Sequence, residues 1–137
     1  MEKLKRQCFL IHSFDVNIKG IRNFIEEKQF NVLSSEDILV GANIEEEIFK
    51  LIKKADLIVV ILTDKKRDNV LFELGYAFGL NKQILVISKT PSLSLPFNVR
   101  NILHLQTDLE NYDAIGFALE QLQIGRASCR ERVSDYV

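Results

Sequence analysis

The sequence predicts an α/β protein, a three-layer sandwich built on one five-stranded parallel sheet. Three observations carry that expectation. From Cys8 to Gln123, short apolar runs alternate with longer segments of helical period. Two of the runs, Leu57 to Leu62 and Gln83 to Ser88, are almost unbroken aliphatic sequence, as strands covered on both faces require. The 137 residues, 47% of them hydrophobic, suffice for one domain with one core.

Met1 to Gln7 reads as a basic lead-in, and Cys8 to Ile11 as a short strand ending in His12-Ser13-Phe14-Asp15. Ile18, Ile21, Phe24 and Ile25 then recur at helical spacing, and that helix ends near Gln29. Phe30 to Leu33 is a second strand, and Ser34 to Ala42 (SSEDILVGA) a polar loop with one glycine. Asn43 and Glu46 have capping-box spacing at the start of the next helix. Glu45, Glu46 and Glu47 load its first turn and Lys50, Lys53 and Lys54 its last turns, while Ile44, Ile48, Leu51, Ile52 and Ala55 make its buried stripe.

Leu57 to Leu62 is the third strand, followed by a polar turn from Thr63 to Asp68. Asn69 is placed to cap the next helix, which leaves Glu73 near its first turn. Gly75 and Gly79 lie one turn apart on that helix, where close packing would explain them. Gln83 to Ser88 is the fourth strand, Lys89 to Arg100 an irregular connection with both prolines, and Ile102 to Leu105 the fifth strand. Asp108 to Gln123 closes the pattern as a helix with Leu109, Tyr112, Ile115, Leu119 and Leu122 on one face.

Such alternation demands right-handed crossovers and a parallel sheet between helices. The expected strand order is 2-1-3-4-5, the flavodoxin-like arrangement, with its switch point between the first and third strands. His12-Ser13-Phe14, Thr63-Asp64 and Glu73 would then converge on one crevice at the mouth of the sheet. Alone, a glutamate near a helix start also fits a plain complement to the helix dipole.

Net charge is -1 with acids and bases interspersed, so no basic footprint points to nucleic acid. No apolar run reaches the ~18 residues of a membrane span and no secretory signal opens the chain, which makes the cytosol the expected compartment. Cys8 and Cys129 cannot form a disulfide framework, and no metal-ligand spacing is present. Residues 1–123 read as the domain. Residues 124–137 read as a tail, in which IGRASCRERV breaks the helical pattern and resembles the in-frame translation of a sequencing adapter.

With these segments in place, the chain resembles the Toll/interleukin-1 receptor (TIR)-like domains and their relatives, the nucleoside 2-deoxyribosyltransferases. CFLIHSFD is similar to the first TIR box, and EDILVGANIEEEIFKLIKKADLIVVIL to the loop, helix and strand that follow the second strand. NVLFELGYAFGLNKQILVI and PFNVRNI are similar to the transferase side. Asp68-Asn69-Val70-Leu71-Phe72 stands where many TIR domains have Trp and Cys, and the chain has no Trp.

The resemblance implies a glutamate that breaks N-glycosidic bonds, and it maps onto Glu73. Losing a base from C1' builds positive charge on the ribose, which a carboxylate stabilises or captures. Helix-start amides would keep that carboxylate ionised. His12 would bond a phosphate or ribose, Ser13 lies beside it in the same box, and Phe14 would stack on a base. The loop of Asp37 and Gly41 would gate the site and mediate assembly.

The first expectation is cleavage of NAD or a related nucleotide at the ribose–nicotinamide bond, in antiphage defence. Nicotinamide leaves without a general acid, so one carboxylate suffices. The second is nucleoside 2-deoxyribosyl transfer or hydrolysis, which needs an acid for the leaving base; Asp64 and Asp68, beside Asn69, are the candidates. The third is a non-catalytic module binding a nucleotide or another TIR domain. NAD or a nucleotide enters as substrate rather than as a resident cofactor, and the expected partners are a second copy through the TIR-like surface and an effector or sensor protein.

Overall fold

The computed structural model describes residues 5–38, 41, 43–64, 68–89 and 102–122. The Pro-containing connection after Lys89 and the tail after Gln123 lie outside these residues. In order, the elements are β1 (Arg6–Ile11), α1 (Lys19–Glu27), β2 (Phe30–Ser34), a 3-10 turn (Ser35–Asp37), α2 (Ile44–Lys54), β3 (Leu57–Leu62), α3 (Asp68–Gly79), β4 (Gln83–Ser88) and β5 (Ile102–Gln106). A last helix, α4, covers residues 112–122.

The five strands form one parallel sheet in the order β2-β1-β3-β4-β5. Alternate residues of each strand feed opposite faces. Leu10, Val59, Ile61, Leu85 and Ile87 pack under α1 and α4 with Ile21, Ile25, Ile115 and Leu119. Ile11, Ile58, Val60, Leu62 and Val86 pack under α2 and α3 with Ile48, Ile52, Val70, Leu74 and Ala77. The aliphatic run of β3 therefore has no polar face because it has no wet face; all six of its residues are buried.

Several contacts fix how the layers seat. The Gln7 amide donates to Asp56 Oδ2 and the Asp56 amide to the Gln7 carbonyl, both at 2.8 Å, pinning the entry of β3 to β1. Lys82 Nζ donates to the carbonyls of Lys53 and Ala55 at 2.7 and 2.8 Å, placing a cation at the negative end of α2. Phe24 of α1 stacks on Tyr112 of α4 with centroids 5.0 Å apart, and a Cβ at Gly20 would collide with the Tyr112 hydroxyl.

Two features depart from the sequence reading. The loop after β2 opens with a complete capping box, in which Ser34 Oγ accepts from the Glu36 amide while Asp37 accepts from the Ser34 amide. At α2, Asn43 Oδ1 accepts from the Glu46 amide. Ile44, expected in the buried stripe, is 52% exposed. As the first residue of the helix it stands at its end, where the sheet offers less cover.

Candidate functional site

Glu73 is the sixth residue of α3, two residues deeper than expected, because the chain is already helical at Asp68 and Asn69 lies within the first turn. At 3.6 residues per turn it stands roughly 60° to one side of Val70 in the stripe that Val70, Leu74 and Ala77 bury. That side faces α2, since Tyr76 packs on Phe49 at 4.4 Å between ring centroids and Phe72 on the same ring at 6.0 Å. Glu73 is half-buried there, and burial pushes its carboxyl up to about 7 from an ordinary 4.5.

Its protonation thus reverses the sequence expectation. A helix dipole contributes about 0.3–1 kcal/mol and fades beyond the first turn. At the sixth position, desolvation outweighs it. A carboxyl near neutrality exchanges its proton at physiological pH, which suits acid, base or nucleophile work.

The carboxyl ends of β1 and β3 emerge side by side, since Ile11 pairs with Val60 in parallel register. His12 and Ser13 are buried just beyond β1, whereas Phe14 is 80% exposed. His12 Nδ1 lies 2.8 Å from the Ser13 carbonyl, which can only accept, so Nδ1 carries the proton. In the neutral ring Nε2 is then an acceptor; it is buried without a hydrogen-bond partner among the described residues. The Ser13 hydroxyl donates to Asp15 and shapes the turn.

Asp64 and Asp68 are both exposed, and Thr63 is half-buried. Asp37 follows β2, whose Ser34 pairs with Leu10 of β1. One Asp37 oxygen pairs with Arg22 at 3.0 Å and the other accepts from the Ser34 amide at 2.8 Å, so its carboxylate holds the loop's shape. Gly41 is exposed with φ +94, a left-handed conformation that favours glycine. The structure thus brings His12, Ser13 and Thr63-Asp64 to adjacent strand ends, with α3 packed across β1, β3 and β4. Asp37 belongs to the capping box after β2.

A cavity of about 260 Å³ opens at the carboxyl ends of β3, β4 and β5, with Ile61, Thr63, Asp64, Ile87, Lys89 and Asp108 in its wall. Ile61 and Ile87 belong to the α1/α4 side, whereas α3 packs on the other face, so this volume lies across the sheet from the helix that carries Glu73. Glu73 is half-buried, while Asp64 and Asp108 of the cavity wall are exposed. Lys89 and Asp108, also exposed, face each other across 3.5 Å. Phe49 of α2, which packs on Phe72 and Tyr76 of α3, was missed in the sequence because its place depends on how the two helices face each other.

Among the described residues no atom stands within 4 Å of where a Cβ on Gly75 or Gly79 would be, so close packing among them does not explain these glycines. Gly75→Ala is therefore expected to stabilise the fold by about 0.5–1 kcal/mol through helix propensity alone, read as a raised denaturation midpoint. An unchanged or lowered midpoint would show that Gly75 is held to a contact or conformation the helix does not reveal.

Among the described residues no helix is long and apolar enough to cross a membrane. No protein-family model matches the chain, and no curated protein matches it. Solved structures do. A 2-deoxyribosyltransferase from Bacillus psychrosaccharolyticus superposes with a TM-score of 0.63 at 16% identity, covering 77% of this chain and 88% of that one. A 2-deoxyribosyltransferase from Leishmania mexicana gives 0.59 at 19%, covering 84% and 97%. A CMP N-glycosidase from Clostridium botulinum gives 0.65 at 19%, covering 82% and 99%. At these identities the likeness speaks to architecture: the parallel 2-1-3-4-5 sheet with its helices matches the fold of these three neighbours.

Proposed function

We propose that this protein cleaves or transfers the N-glycosidic bond of a nucleoside or nucleotide, with Glu73 as the nucleophile. The observation that carries the reading is the half-buried Glu73 carboxyl, held near neutrality on the α2-facing flank of α3. The fold shared with two deoxyribosyltransferases and a CMP N-glycosidase supports it and moves it ahead of NAD cleavage. In its ionised form Glu73 attacks C1', and the bonding pair departs with the base nitrogen. Water or a second base then takes the sugar from the carboxylate. His12 Nε2, as an acceptor, is suited to bond a ribose hydroxyl, and Phe14 to stack on the base. Asp64, Asp68 and Asn69 stand at the β3–α3 turn, where an aspartic acid would protonate the leaving base. Gly41 lends its loop a conformation that shapes access. The reaction as written needs no resident cofactor.

One observation favours a second reading, cleavage of NAD in a TIR-like defence role with self-association and a sensor partner. Asp64 and Asp68 are exposed rather than enclosed around a leaving base, and nicotinamide is the leaving group that needs no acid. Incubation with deoxynucleosides, CMP and NAD in turn, products resolved by mass spectrometry, separates the two. Base exchange or release from nucleosides or CMP, with NAD slower, is expected. NAD consumption with nucleosides and CMP untouched would reverse the order, and no turnover of any would leave only a binding module.

A further inference from the structure

His12 is 7% exposed, and its Nε2 is buried without a hydrogen-bond partner among the described residues. The tautomer is set from the other side of the ring, where Nδ1 donates to the Ser13 carbonyl at 2.8 Å. Nε2 of the neutral ring is therefore an acceptor. The neighbouring Ser13 hydroxyl is committed to Asp15 and is not its donor. A buried acceptor left open costs free energy in the folded chain, and a ligand that donates to it recovers that cost.

What Nε2 accepts decides the ligand group. An ionised phosphate offers only acceptors, so the neutral ring cannot hold one there; a hydroxyl or an amino group can donate. The chemistry at C1' chooses between these two. A carboxylate that displaces a base attacks from the opposite face of the sugar, and in a ribonucleoside that face carries the 2'- and 3'-hydroxyls. The base, with its amino groups, lies on the far face. His12 belongs on the near one: Ile11, the residue before it, packs in one cluster with Val70 and Leu74, which bracket Glu73 along α3. Of the two hydroxyls, the 2'-hydroxyl stands on the carbon bonded to C1' and is the nearer to the attacking carboxylate.

We propose that His12 Nε2 accepts from the 2'-hydroxyl of the substrate, so that the site takes ribonucleosides or ribonucleotides in preference to their 2'-deoxy counterparts. The proposal rests on the N-glycosidic reading of Glu73 and adds a specificity that the fold shared with two 2-deoxyribosyltransferases does not foretell. The four common ribonucleoside 5'-monophosphates, with their 2'-deoxy and 3'-deoxy analogues, test it as substrates of the wild type and, by calorimetry, as ligands of Glu73→Gln. For the best base, the ribonucleotide should exceed its 2'-deoxy analogue at least ~10-fold in both kcat/KM and affinity, while the 3'-deoxy analogue keeps pace with it. His12→Phe keeps a ring without the acceptor and should erase the difference with native circular dichroism. His12→Gln, whose Oε1 accepts, should retain part of it. Turnover without a ribose preference, a preference that survives His12→Phe, or a requirement for the 3'-hydroxyl instead would overturn the role of His12 and leave the reading of Glu73 standing. Ribose-selective binding that depends on His12, with no cleavage by the wild type, would uphold His12 and remove that reading; no binding of any ribonucleotide would overturn both.

Discussion

Glu73→Gln is expected to lower turnover of the N-glycosidic substrate at least ~100-fold, the loss typical of one preorganised electrostatic group. The amide keeps the shape and hydrogen-bonding reach of the side chain but cannot carry the charge that the oxocarbenium-like state needs. Wild-type kcat/KM should rise with pH through about 7, as burial delays Glu73 ionisation to that point, and the variant should lose this limb. Stability moves in the opposite sense. The unfolded chain releases the Glu73 proton near 4.5, while the folded chain holds it to about 7. Between these values the unfolded state binds fewer protons, so stability is greatest below 4.5 and falls as pH rises through the window. Glu73→Gln has no proton to lose and should melt at or above wild type at pH 8. A surface acid that only complements a dipole behaves otherwise: its removal costs a few tenths to about 1 kcal/mol and spares activity. Turnover and Tm followed together across pH distinguish the two, and full activity in the variant would remove Glu73 from the mechanism.

Leu74→Ala should have the largest effect on stability, about 2–5 kcal/mol. Leu74 is fully buried, directly follows Glu73, and belongs to the cluster that seats α3 on Ile58, Val60 and Val86. Truncation removes buried apolar surface and leaves a cavity between a helix and three strands that cannot all move to fill it. Against a total stability of about 5–15 kcal/mol for an ordinary domain, such a loss is a large fraction. The urea midpoint should fall with an unchanged slope, and turnover under folding conditions should fall as well, because the same helix turn aims Glu73. A loss under about 1 kcal/mol would mean that α3 is not seated as described.

The strands were legible wherever the sheet is dry on both sides. Leu57 to Leu62 and Gln83 to Ser88 have in the structure the bounds that their aliphatic composition marks out. What the sequence hid depends on distant partners. Asp37 looked like a loop residue because its fixing partner, Arg22, comes from α1. Ile44 fits the helical period of its neighbours, but period does not tell where the sheet ends. Glu73 can be placed on the third helix from the sequence, yet the hold on its proton cannot, since that depends on the packing around α3.

The strand order also bears on when the molecule becomes whole. β1, an interior strand of the sheet, pairs with β2 across one helix, but with β3 only after β2 and α2 have been made. His12 waits at the end of β1 for a neighbouring strand and for the helix that carries Glu73. Pairings of such sequence separation are slow to close and leave apolar strands open in the meantime. On the ribosome, β1 and β2 emerge with their shared crossover while the far side of β1 still lacks its partner. The nascent chain therefore passes through a stage in which Phe9 and Ile11 have neither β3 beside them nor α3 above them, and that interval is when it is most prone to aggregate.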